Sequence, residues 1–239
     1  MRKQLCILTA VSALFAASCS SPASPSASSA APVPSSQTED HSQTEEAVGG
    51  WQLMEDETIT DELQAVFDKA SEGLTGVSYT PYICLARQVV SGTNYALLCS
   101  SVTVTAEPKK DFAIVYVNED LKGNAKILDI VPLEFAGKAD TLGKWEVADS
   151  PEIYNELSLV FSKGMEGFTG SDLSPCIYLG WQLVDGTNYA LLCRKSTVAV
   201  KGDTSWAIVT IHEDLDGSAK ITDIRDLQIA MPDKEKPAS

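Results

Sequence analysis

From Gly49 onward the apolar positions change period in a fixed order, and that order occurs twice. Ile59, Leu63, Val66, Phe67 and Ala70 fall at helical spacing and make one stripe. Ile153, Leu157, Val160 and Phe161 make the same stripe later in the chain. Thr58 or Thr60 predicts the start of the first helix; Ser150, followed by Pro151 at the first helical position, predicts the start of the second. Gly73 and Gly167 predict the stops. Strand-like segments follow each helix. In the first copy they are YTPYICLARQVV, YALLCSSVTVT, FAIVYVN and KILDIVPLEF, separated by SGTN, AEPKKD and EDLKGNA. Phe112, Ile114 and Tyr116 alternate with Ala113, Val115 and Val117. Trp51 to Met54 predicts an edge strand ahead of the helix.

The two copies align without a gap from Gly49 to Phe135, at an offset of 94 positions (186 − 92). Trp51 falls on Trp145, Phe67 on Phe161, Gly92 on Gly186, Glu119 on Glu213 and Ile130 on Ile224. Two long, gap-free copies, each with its own apolar pattern, predict tandem domains rather than a solenoid. The expected fold class is α+β: a domain over 49–136 and another over 137–233, each with one helix packed on a four- to five-stranded antiparallel sheet. The boundary is the short polar segment AGKADTLG, and 234–239 is a tail.

Ahead of the repeat, the pattern is that of targeting and tethering. Arg2 and Lys3 precede the apolar run LCILTAVSALFAA, so residues 1–18 are expected to be a signal peptide. The junction AASC resembles the lipobox of bacterial lipoproteins, although Ala16 stands where Leu is commoner there. The resemblance implies lipidation of Cys19 and an exported protein facing outward from the bacterial cell membrane; the alternative is ordinary signal cleavage. Residues 19–48 are rich in Ser, Ala and Pro and are expected to be a disordered stalk.

A net charge of −15 disfavours nucleic acid and anionic lipid surfaces, so contact with a membrane is expected only through the anchor. The repeat region holds one histidine, His212, and neither a Ser-His-Asp set nor a metal-spaced cluster; no enzyme activity, cofactor or metal is expected. Cys84 and Cys99 lie on the two arms of one hairpin, and Cys176 and Cys193 on those of the other. Cys99 and Cys193 are equivalent, whereas Cys84 aligns with Tyr178 and Cys176 with Tyr82. An exported protein permits a bridge in at least one hairpin, and buried free thiols are the other reading.

The most closely repeated stretch is QVVSGTNYALLC, from Gln88, which returns as QLVDGTNYALLC, from Gln182. SGTN and DGTN are turn sequences in their own right, and turns fix strand register. A helix, a strand ending in Gln-x-Val-x-Gly and a strand opening on Thr-Asn-Tyr together resemble the cystatin family. Gln88, Val89, Val90, Ser91 and Gly92 match that motif throughout; Gln182, Val184 and Gly186 match its defining positions, with Leu183 and Asp185 at the variable ones. A glycine ahead of the helix, which cystatins also have, is present as Gly49 or Gly50 in one copy and as Gly143 in the other.

The resemblance implies two cystatin-like domains that inhibit papain-like cysteine proteases as a monomer, by occluding the cleft with the Gly segment and two hairpin loops. At the second hairpin, where the family often has Pro-Trp, this chain has Glu119-Asp120-Leu121 and Glu213-Asp214-Leu215. The alternative is a non-inhibitory module that binds protein or peptide at the cell envelope.

Overall fold

The computed structural model describes residues 49–54, 56–136, 143–197 and 203–230. The signal peptide, Cys19, the stalk and the C-terminal tail lie outside them. The first repeat runs β1 (Trp51–Leu53), α1 (Asp61–Ser71), β2 (Val77–Val90), β3 (Gly92–Thr103), β4 (Lys110–Glu119) and β5 (Ala125–Pro132). The second runs β6 (Trp145–Val147), α2 (Asn155–Gly164), β7 (Ser171–Val184), β8 (Gly186–Thr197), β9 (Thr204–Glu213) and β10 (Ala219–Leu227). Each repeat forms a five-stranded antiparallel sheet with its strands side by side in chain order. The chain is therefore α+β, with one helix to each sheet.

The helix starts follow local chemistry. Thr60 caps α1 by accepting the Leu63 N–H at 3.2 Å, and Asp61 and Glu62 occupy the first turn, where they favour the helix dipole. The second helix departs from expectation. It begins at Asn155, after Tyr154, and not at Ser150-Pro151. The Pro151 carbonyl instead accepts the Tyr178 N–H at 2.8 Å, which binds this segment to β7. In the first repeat the equivalent Glu57 carbonyl accepts the Cys84 N–H at 2.9 Å. Both bonds sit at a β-bulge, where a strand N–H turns out of the ladder.

Each sheet is buried on both faces. On one face of the first sheet, Leu63 and Phe67 of α1 pack on Cys84, Leu97, Cys99, Val115 and Val117. The alternate residues Ile83, Leu85, Leu98, Ile114 and Tyr116 face the other way and pack on Ile177, Leu179, Leu192, Trp206 and Ile208 of the second sheet. The helix α2 covers the outer face of the second sheet. The order of layers is helix, sheet, sheet, helix. Two cores are private to a repeat, and the third is shared.

Trp206 ties the shared core. Its ring is 1% exposed, and its Nε1–H donates to the Leu85 carbonyl at 2.9 Å. Leu85 is the residue left out of the β2–β3 register by the bulge, so the indole satisfies a carbonyl that the ladder leaves over. Arg194 also crosses between repeats, donating to Glu57 Oε1 at 2.8 Å and to the Met54 carbonyl at 2.7 Å.

The four cysteines among the described residues are free thiols. The expected bridge lacks directly opposed partners: Cys84 faces Leu97, Cys99 faces Pro81, and Cys176 falls in a bulge beside the Pro175–Cys193 pair. Burial raises the Cys84 thiol to about 12 and the Cys176 thiol to about 11, and raises Cys99 and Cys193 as well.

Candidate functional site

Strand pairing brings the three predicted segments of each repeat to one end of its sheet. In the first repeat Trp51 lies opposite Gln88, and the Gly49 N–H reaches the Val89 carbonyl at 3.3 Å. Val90 pairs with Gly92 around the exposed Ser91, and Thr93 pairs with Glu119 at the start of the second hairpin turn. Gly49, the Ser91 turn and the Leu121 turn therefore stand side by side at the tip. Gly50 is exposed beside them. In the second repeat Trp145 lies opposite Gln182, Val184 pairs with Gly186 around Asp185, and Thr187 pairs with Glu213.

A relay of side-chain amides holds these segments together. Gln88 Nε2 donates to the Gly49 carbonyl at 2.8 Å, and Gln88 Oε1 accepts Asn94 Nδ2 at 2.8 Å. Asn94 Oδ1 in turn accepts Asn118 Nδ2 at 2.9 Å. The second repeat repeats the first two links: Gln182 donates to the Gly143 carbonyl at 2.9 Å and accepts from Asn188 at 2.8 Å. Its third link is His212, the equivalent of Asn118, whose Nδ1 is 2.8 Å from Asn188 Oδ1. Because that oxygen accepts, Nδ1 carries the hydrogen. His212 Nε2 lies 3.2 Å from Asp214 Oδ1 of the second hairpin turn. Gln182 is 2% exposed and Asn94 is 5% exposed. Buried amides need partners, so these residues fix where the Gly segment and the loops lie.

The motif glycines are packed against the molecule itself. Gly92 has φ +107° and Gly186 has φ +99°. A Cβ at Gly92 would overlap the Glu119 carbonyl oxygen, and one at Gly186 would overlap the Glu213 carbonyl oxygen and press on the His212 ring. A side chain at Gly92 or Gly186 would therefore disturb the end of the sheet as well as the turn. These glycines let the first hairpin close onto the second. Gly143 is similarly tight against the Leu183 carbonyl, whereas Gly49 has open space around it.

The second hairpin turn is pre-shaped. Asp120 accepts the N–H groups of Lys122 and Asn124 and the Asn124 side-chain amide, all within 2.9 Å. The Asn124 bonds hold its carboxyl below the usual range. Lys69, in the last turn of α1, donates to the Gly123 carbonyl at 2.8 Å, and the equivalent Lys163 donates to Gly217 at 2.6 Å. Asp120 is thus spent on the turn, and Leu121 projects from it at 83% exposure. Leu215 projects likewise at 84%, with Val90 and Leu183 also exposed at the first hairpins.

The Gln and Gly positions of the motif lie together at these tips. Sequence reasoning missed Asn94, Asn188, Asn118 and His212, although the doubled Thr-Asn was a signal for the first two. His212, the one histidine of the repeat region, is half-buried within the relay. Among the described residues, no group of three or more His, Cys, Asp or Glu side chains is placed to hold a metal ion. No protein-family model matches the chain, and no curated protein is significantly similar to it.

Proposed function

We propose that the chain is a pair of cystatin-like domains that inhibits papain-like cysteine proteases by inserting a tip into the active-site cleft, and that it is tethered outside the cell through Cys19. The observation that carries this reading is the convergence, in both repeats, of the glycine segment, the Gln-x-Val-x-Gly turn and a second hairpin turn at one end of a sheet. The strand order supports it, with a short strand and a helix followed by a four-stranded meander. The relay lowers the ordering cost of binding, because the tip is shaped before it meets a cleft. Leu121 and Leu215 supply the apolar contact at the second hairpin, and Val90 and Leu183 supply it at the first.

A second reading has an observation of its own. The motif's Gln and Gly serve internal packing, so their retention in both repeats has a structural cause without any protease. On that reading the tips bind another protein or peptide. Titrating papain with the full chain separates the two. Stoichiometric inhibition is the expected outcome, and no inhibition of papain or related proteases leaves only the binding-module reading. Cys19→Ala tests the tether separately, and is expected to release the protein from the membrane fraction.

A further inference from the structure

The two tips face opposite ends of the molecule. Trp51, at the tip end of the first sheet, packs edge-on against Tyr116, with ring centroids 5.6 Å apart, and β10 ends at Leu227, at the far end of the second sheet. Tyr116, near the same tip, donates its hydroxyl to the Ala230 carbonyl at 3.0 Å. Conversely, Phe135, just past the far end of β5, stacks edge-on against Trp145 at the tip end of the second sheet, with ring centroids 6.0 Å apart. Each tip end therefore lies over the far end of the other sheet. A 12-residue strand such as β3 spans roughly 40 Å at the usual rise per residue, which sets the scale of the separation. A specific interface needs about 800 Å² on each partner, a patch roughly 30 Å across, so two patches centred on opposite ends do not overlap.

We infer that the protein is bivalent: one chain holds two cleft-bearing partner proteins at once, one on the Ser91–Leu121 tip and one on the Asp185–Leu215 tip. This rests on the tip-in-cleft reading above. Tandem domains joined by a flexible linker could fold over each other's sites. Here the shared core and the Trp206–Leu85 bond fix the domains back to back, so occupancy of one tip leaves the other open.

The test is light scattering of complexes between the full chain and papain as the probe, with calorimetric titration for stoichiometry. Two papain molecules per chain are expected. Leu121→Asp and Leu215→Asp, each at an exposed position, should each reduce this to one, and the double variant should reduce it to none. One papain per wild-type chain, with each single variant still binding one, would mean that the tips exclude each other and would overturn bivalency alone. One papain per chain, lost entirely in one of the single variants, would mean one working tip and would also overturn it. No complex with the wild-type chain would overturn the tip-in-cleft reading together with bivalency.

Discussion

The two repeats differ least at their tips and most beneath their helices. At the tips, Gln88–Asn94 and Gln182–Asn188 make the same bonds, and the Lys69–Gly123 and Lys163–Gly217 contacts coincide. Beneath the helices, Thr60, Cys84 and Arg87 of the first repeat become Tyr154, Tyr178 and Trp181 in the second. Tyr154 and Tyr178 then pack edge-on at 5.9 Å, with Tyr189 against Tyr178 at 6.3 Å. In the first repeat the corresponding region is an open cavity of about 370 Å³, lined by Thr60, Leu63, Arg87, Thr93, Tyr95 and Glu119 among others. Apolar filling can drift where volume is conserved only loosely, whereas a relay of buried amides tolerates no missing member.

The largest expected effect breaks the comparison by attacking what the repeats share. Trp206→Ala should cost about 3–5 kcal/mol, as large-to-small changes of buried aromatics do, and it also strands the Leu85 carbonyl. Circular dichroism should still show a single transition, because both sheets border the same core. Two separate melts would mean that the repeats are independent. Next come Gly92→Ala and Gly186→Ala. Each combines a positive φ with overlap on a backbone carbonyl, so each should cost at least about 2 kcal/mol. Urea midpoints of the two variants should fall together, and an unaffected Gly186→Ala would show that the second tip is looser.

A smaller effect sharpens the comparison. His212→Asn gives the second repeat the first repeat's relay residue and should change stability by less than about 1 kcal/mol, whereas His212→Leu should cost about 1–3 kcal/mol by leaving the Asn188 oxygen unpaired. Guanidinium unfolding of the pair measures the difference. The smallest difference is alkaline and lies between two cysteine variants. Burial raises Cys84 to about 12 and Cys176 to about 11 from an ordinary value of 9.0. Above pH 9 the unfolded chain therefore loses thiol protons that the folded chain keeps. The stability from these groups is complete below pH 9 and is lost as pH rises through 11 to 12. Melting temperatures from pH 7 to 11 should decline beyond pH 9, and Cys176→Ser should lessen the decline less than Cys84→Ser does.

Helices, strands and their order were legible because each has its own period. The helix stripe of Leu63 and Phe67 and the alternation of Ile114 and Val115 are local signals. The shared core was less so, yet it left a trace: strands such as YALLC and FAIVYV are apolar on both faces, as sheets covered on both sides are. The partner for the second face could not be read, because one strand does not say what covers it. The start of α2 was misplaced since Ser150-Pro151 has good capping chemistry, but tertiary bonding draws Pro151 to Tyr178. At the tips, Gln-x-Val-x-Gly was visible as a motif. That its glycines face Glu119 and Glu213 depends on contact between two hairpins, a long-range fact outside any local pattern.

The relay and glycines shape the tip, and the proposed inhibition has the exposed leucines touch the partner. The most direct measurement is the papain inhibition constant of Leu121→Asp/Leu215→Asp against that of the full wild-type chain, with thermal melts taken on the same samples. The predicted result is inhibition by the wild type, weakened at least tenfold in the variant, with the melt unchanged. Equal inhibition by both proteins, or no inhibition by the wild type, would contradict it.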